Sequence, residues 1–308
     1  MDPLSFFQLA YGFIDDKLDV FLNERASNAI AVVAGPLRAA LVLYVLLYGF
    51  AILRGAIAEP FMDFAIRSLK LALIYFIATT TAYSSWVTDP LFHVLPNTLT
   101  EAISGAGTPD VGSAFDQFIN RAAYLADKIA AKATPINFLP WIMSALVNLI
   151  GIAAAVLGFG VVLVAKVALA LLVALGPIFI ACTLFEATRR WFFGWLSQGV
   201  NYIVLFALII TLFQLILSLL DSIWGQIDGA DPMAGGLLFI ALCLLGGIFF
   251  LQLPAIAAGI ASGASVGLAD FANAASLRGS RSGSPQGPQE AARKVPRGGG
   301  TIRPAGAR

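Results

Sequence analysis

WIMSALVNLIGIAAAVLGFGVVLVAKVALALLVALGPIFIACTL, residues 141–184, carries one charged side chain, Lys166, in 44 residues. As one straight helix it would run about 66 Å, at 1.5 Å per residue, roughly twice the hydrocarbon thickness of a bilayer. A single straight crossing is therefore excluded. Two readings remain. Either residues 141–157 form an interfacial or re-entrant element and 158–184 make one crossing, or the block is a hairpin turning at Lys166. The fold depends on which holds, because the first puts Arg189 and Arg190 on the opposite side of the membrane from residue 140 and the second returns them to the same side.

The rest of the chain has the same character. It is 59% hydrophobic and 12% charged, with a mean hydropathy of +0.84. Soluble domains are about half apolar and about a quarter charged, so a soluble globular class is excluded. Apolar blocks recur at about 34–53, 68–86, 196–220 and 236–256, each long enough for a spanning helix. Arg54, Arg67 and Lys70 lie between the first two blocks, and Arg189 and Arg190 follow the long one. Arg278, Arg281, Arg293, Lys294, Arg297, Arg303 and Arg308 lie in the tail. Placing these twelve of the nineteen basic residues in the cytoplasm satisfies the positive-inside rule. This favours the single-crossing reading. The expectation is an all-α, polytopic transmembrane protein with about five net spans, N-terminus outside and C-terminus inside.

The first 30 residues lack the basic and apolar regions of a cleaved signal. Instead Phe6, Ala10, Phe13, Lys17 and Val20 recur at helical spacing and predict an amphipathic outer helix. Five segments follow from this reading: an outer N-terminal helix (1–30), two transmembrane helices (31–86), a large outer loop (87–140), a re-entrant element with three transmembrane helices (141–260), and a small-residue helix end with a basic tail (261–308). In the loop, Phe115, Phe118, Ala122, Leu125 and Ile129 predict a second amphipathic helix over 113–133. The prolines and glycines of WVTDPLFHVLPNTLTEAISGAGTPDVG (86–112) predict an irregular stretch before it. From about residue 277 the Gly, Ser, Pro and Arg content predicts disorder, with the basic residues either solvated or drawn to anionic lipid.

Catalytic signals are poor. Gly263-Ala264-Ser265-Val266-Gly267 matches the G-x-S-x-G nucleophile elbow, but the one histidine, His93, falls on the other side of the membrane. Gly259, Gly263 and Gly267 recur every fourth residue, a stripe suited to close helix packing. No Walker loop, HExxH helix or CxxC pair occurs, so no catalytic residue, metal ligand or cofactor site is expected. Cys182 and Cys243 sit in apolar runs and read as small core residues. Three features stand out instead. Lys166 is an intramembrane charge, which faces a pore, pairs with another helix or snorkels to an interface. Gly176-Pro177 kinks or breaks its helix. Trp191 and Trp195 beside Arg189 and Arg190 make an aromatic and basic belt.

The stretch LGPIFIACTLFEATRRWFFGWL (175–196) and the ending QLPAIAAGIASG (252–263), with an acidic N-terminus and a large outer loop, resemble the TrbL-type polytopic inner-membrane subunits of type IV secretion systems. The likeness rests on Gly176, Pro177, Phe185, Thr188 and Trp195. It implies a non-enzymatic subunit of a translocation channel for DNA or protein that supports pilus assembly, with Lys166, Gly176, Pro177, Arg189, Arg190 and Trp195 as candidate channel or assembly residues. It also implies pilin-like, periplasmic core and ATPase partners and a ring-like homo-oligomer in the bacterial inner membrane. The alternative is a secondary transporter with a site near Lys166 and the Gly176-Pro177 break. Such transporters usually show two repeated halves, and no internal repeat is visible.

Overall fold

The computed structural model describes residues 5–55, 61–104, 111–185, 187–227 and 232–278. The described residues are helical or in turns, without a strand. The chain divides into two compact units: Met1–Asp270, which holds everything discussed below, and Phe271–Arg308, of which residues 271–278 are described and helical. The expected disordered tail lies, past residue 278, outside the described residues.

Eight α-helices follow one another: α1 (Phe6–Leu53), α2 (Phe61–Thr79), α3 (Leu95–Ser104), α4 (Val111–Ala130), α5 (Leu139–Ala174), α6 (Gly176–Ala181), α7 (Arg189–Ile227) and α8 (Pro232–Arg278). Four of them contain stretches long and apolar enough to cross a membrane: Phe6–Leu53, Leu139–Ala174, Arg189–Ser222 and Pro232–Ser262. A fifth arises if Phe64–Thr79 and Ser84–Ile103, which meet at a 93° bend, count as one broken span.

The 141–184 block divides at neither residue 157 nor residue 166. Helix α5 runs unbroken from Leu139 to Ala174, about 54 Å at 1.5 Å per residue, and the chain breaks only at Gly176. The proposed separate element over 141–157 and the hairpin at Lys166 are both replaced by one long helix. Glycines 151, 158 and 160 lie within it, and no proline follows Pro140 in its first turn until Pro177. Nothing in the sequence stops it earlier. The boundary drawn at residue 30 is likewise absent, since α1 continues through it to Leu53 with Pro36 inside the helix.

Of residues 86–112, expected to be irregular, 86–104 and 111–112 are helical and 105–110 lie outside the described residues; two single π-helical turns (Ser84–Thr88 and Pro90–Val94) lead into α3. Pro90 and Pro96 lie inside this continuous helical run, which passes through the two wider π-helical turns where the regular ladder is interrupted. Helix α4 buries Phe115, Phe118, Ala122, Leu125 and Ile129, the face read from its periodicity. It packs on the long apolar helices. Phe115 stacks on Phe213 of α7 (centroids 4.0 Å) and Phe118 on Phe239 of α8 (5.7 Å). Gly151 and Gly158 of α5 leave room for Phe239 and Phe250 of α8. A second cluster gathers the middle of α1 with α2, the end of α5, α6 and the start of α7, around Tyr83 and Phe92.

Candidate functional site

The break between α5 and α6 follows from one missing donor. Pro177 has no N–H, so the carbonyl of Val173, four residues earlier, loses its partner in the helical ladder. The hydroxyl of Tyr83, a side chain 1% exposed, donates to that carbonyl. One residue earlier, the Leu172 carbonyl accepts from Trp195 Nε1 at 2.8 Å. Trp195 is 5% exposed and stacks near Phe179 and Phe192. Two side chains from different elements thus cap the end of α5. Gly176 makes their approach possible. A Cβ there would overlap the Tyr83 hydroxyl and lie 3.1 Å from a Trp195 ring carbon. Past α6, the Thr188 hydroxyl donates to the Cys182 carbonyl at 2.7 Å and closes the turn into α7.

Seven residues before Val173, Lys166 lies in a charge cluster. Its ammonium sits 2.5 Å from Asp15 Oδ1 and donates to Tyr11 Oη at 2.9 Å. The Tyr11 and Phe92 rings lie 4.7 and 5.3 Å from it, in cation–π range. The Lys166 side chain is 11% exposed. Beside it, His93 Nε2 stands 3.2 Å from Asp19 Oδ1. A cavity of about 180 Å³ is lined by Asp15, Lys166, His93 and Asn97 on its polar side and by Phe92 and Phe206 on its apolar side. Lys166 is thus neither snorkelling nor unpaired. It ties α5 to α1, and His93 ties the second π-helical turn to α1.

A third tie joins α1 to α4. Both carboxylate oxygens of Asp116, itself buried, accept backbone N–H groups of the first turn of α1, from Phe7 and Gln8, each at 2.9 Å. This is a helix N-terminus capped by a residue from a distant helix. Among the described residues no group of three or more His, Cys, Asp or Glu could hold a metal ion.

The structure brings Gly176, Pro177 and Trp195 together and keeps the other candidates apart. Arg189 lies over the Phe193 ring at 5.5 Å, and Arg190 is exposed at the start of α7. Gly259 is exposed, with nothing within 4 Å of a Cβ built there. The face of α8 buried in this chain instead carries Leu253, Ala257 and Ala261. The surroundings of Gly263, Ser265 and Gly267 lie outside the described side chains.

A family model described as TrbL/VirB6 plasmid conjugal transfer protein matches residues 41–253, more than half of the chain. The chain belongs to the TrbL/VirB6 family. It is 28% identical over 274 residues to the type IV secretion system protein VirB6 of Bartonella henselae, covering 85% of this chain and 82% of that protein. VirB6 of Bartonella quintana is 27% identical over the same shares. The type IV secretion system protein PtlD of Bordetella pertussis is 26% identical over 246 residues, 72% of this chain and 50% of that protein. With its four or five helices of spanning length, this TrbL/VirB6 protein is a multi-pass membrane component of a type IV secretion system. The matched stretch includes the capped break, Lys166 and Asp116; Asp15 and Asp19 precede it.

Sequence reasoning missed Tyr83, Asp15, Asp19 and Asp116. A signal existed for Asp15 and Asp19. Their four-residue spacing puts both on one face of a helix, and an intramembrane lysine needs a carboxylate partner. No periodicity announces Tyr83 or Asp116, because each acts on a backbone group far away in the chain.

Proposed function

We propose that this protein is an inner-membrane scaffold subunit of the secretion channel, with no enzymatic activity of its own. In this reading its N-terminus and the 87–140 segment face the periplasm and its C-terminus faces the cytoplasm. Its neighbours are pilin-like subunits, periplasmic core subunits and the secretion ATPases, and further copies of itself form a ring around the path of DNA or protein. One observation carries the scaffold reading over the transporter reading. Broken helices in transporters present free carbonyls to a coupling ion. Here the carbonyls of Leu172 and Val173 are occupied by Trp195 and Tyr83, and the charge of Lys166 is matched by Asp15. The groups that would serve a solute are engaged in holding helices together.

The test is contact-dependent transfer of DNA or protein from a donor lacking this gene, complemented with variants. Wild type restores transfer. Trp195→Ala, present in the membrane at normal amount, lowers it by a factor of about ten or more, the scale of one lost capping bond and its packing. Normal transfer from the deleted donor, with a defect in uptake of a particular solute, reverses the order of the two readings.

A further inference from the structure

The first turns of α1, about six, are attached to the protein differently from α4. Of residues 6–27, only Phe7, Leu22 and Ala26 are buried, whereas α4 buries nine of its 20 residues. Its apolar anchors are Phe7, against Phe115 and Phe159, and Leu22 and Ala26 in the second cluster; between them it is held by polar ties, each to a different element. Asp116 of α4 accepts from the Phe7 and Gln8 N–H groups, Lys166 of α5 pairs with Asp15, and His93 of the second π-helical turn pairs with Asp19. Behind the second and third ties lies the 180 Å³ cavity. The ammonium of Lys166 has three N–H donors, two of them engaged by Asp15 and Tyr11, and the cavity has polar walls and room for several waters. The outer face carries Phe6, Leu9, Phe13 and Val20, all exposed.

Two further features belong to the same segment. Gly112, at the start of α4, allows the backbone of α1 to lie directly on α4; a Cβ there would overlap Gln8 Cα and come within 2.6 Å of the Phe7 carbonyl oxygen. At the far end lies Gly35-Pro36. Pro36 removes the N–H that would bond the Val32 carbonyl, and a Cβ built at Gly35 meets nothing within 4 Å. Beyond the proline α1 is anchored again, by buried Leu37 and by the stack of Tyr48 on Phe64 of α2 (5.6 Å).

We infer that residues 6–34 form a detachable strap, latched on the helix bundle at Asp116, Lys166 and His93 and hinged at Gly35-Pro36, which opens while the bundle beneath it stays folded. Few buried apolar groups and a polar cavity behind the contacts put a segment at the low end of local stability, and a proline confines the motion to one place. The latch is asymmetric in degree. Removing Asp15 takes away the close carboxylate and leaves the ammonium of Lys166, 11% exposed, with only the more distant charge of Asp19, a state relieved by opening. Removing Lys166 leaves the inner oxygen of Asp15 unpaired, on a side chain that is more exposed at 29%.

The test measures the rate at which N-ethylmaleimide labels Phe7→Cys or Leu22→Cys, two buried strap positions, in the full chain in its membrane. Cys182→Ser provides the background, and native Cys243, buried in the bundle, is the internal control. Asp15→Asn should speed labelling of both strap positions by roughly a hundred-fold, with Lys166→Met and Gly112→Ala at about ten-fold, as the opened population rises. Asp15→Asn combined with Lys166→Met should fall back below Asp15→Asn alone, since no buried charge is left unpaired. Cys243 should be unaffected throughout. Two results overturn the proposal: strap positions that ignore Asp15→Asn and Gly112→Ala, or Cys243 rising in step with them, which means the bundle opens as a whole.

Discussion

Alanine at position 176 would drive a methyl group into the Tyr83 hydroxyl and against the Trp195 ring, at a place where both side chains are buried. Neither can retreat without uncapping a carbonyl of α5. Gly176→Ala should therefore lower stability by about 2–4 kcal/mol, the range for overpacking combined with a lost buried hydrogen bond. Trp195→Phe keeps most of the ring and loses only the donor to Leu172, so about 1–2 kcal/mol is expected. Thermal unfolding of the detergent-solubilised protein measures both. The pairing itself is checked by adding Tyr83→Phe to Gly176→Ala. Removing the hydroxyl relieves part of the overlap, so the double variant should be more stable than the sum of its singles. Strict additivity would mean that the two residues do not meet. The motif residues Gly176, Pro177 and Trp195 were visible in the sequence, but their purpose was not. A Gly-Pro pair announces a break, and nothing local says which side chains from elsewhere will fill the carbonyls it frees.

Helix α4 is held by apolar burial rather than by its surface charges, and substitutions on its two faces should separate the contributions. Leu125 is wholly buried, so Leu125→Ala should cost about 2–5 kcal/mol through lost transfer and the cavity left behind. Arg121→Ala removes a pair with Asp221 in which both side chains are substantially exposed, and should cost under about 1 kcal/mol. A denaturant series on the two variants ranks them; comparable losses would mean that α4 is not a core helix. The contrast also explains what could be read in advance. The face of α4 was legible because large apolar residues mark it against Ser, Gln, Asn, Asp and Lys on the other side. In α1 the apolar spacing does not mark the face that packs on the bundle. Phe6, Phe13 and Val20 point outward, and the inner face runs through Phe7, Tyr11, Asp15, Leu18 and Leu22. Apolar periodicity locates a buried face only when the neighbours are apolar, and here the neighbours include Lys166 and Asp116. The segment 84–104 was misread for another reason. Prolines were taken as breakers, whereas Pro90 and Pro96 lie inside one helical run that passes through two π-helical turns.

For the molecule as a whole, the unbroken α5 makes topology a question with one decisive helix. Its two ends lie about 54 Å apart, farther than the roughly 30 Å hydrocarbon core, so Asn137 before it and Ala187 after it can stand in opposite compartments with turns to spare. Both positions are exposed in the structure. The orientation proposed above puts Asn137 in the periplasm and Ala187, beside Arg189 and Arg190, in the cytoplasm. In cells carrying a variant without native cysteines, a membrane-impermeant maleimide should therefore label Asn137→Cys directly and Ala187→Cys only after the inner membrane is opened. The reverse pattern would keep α5 as a crossing and invert the whole protein, moving the N-terminal strap and its Asp15–Lys166 latch to the cytoplasmic end of the secretion apparatus. Labelling of both positions from outside would mean that α5 does not cross at all. The long apolar helices would then have to meet other subunits rather than lipid, since Trp141, Leu149, Ile152 and Val164 stand exposed along α5 and no surface on this chain covers them.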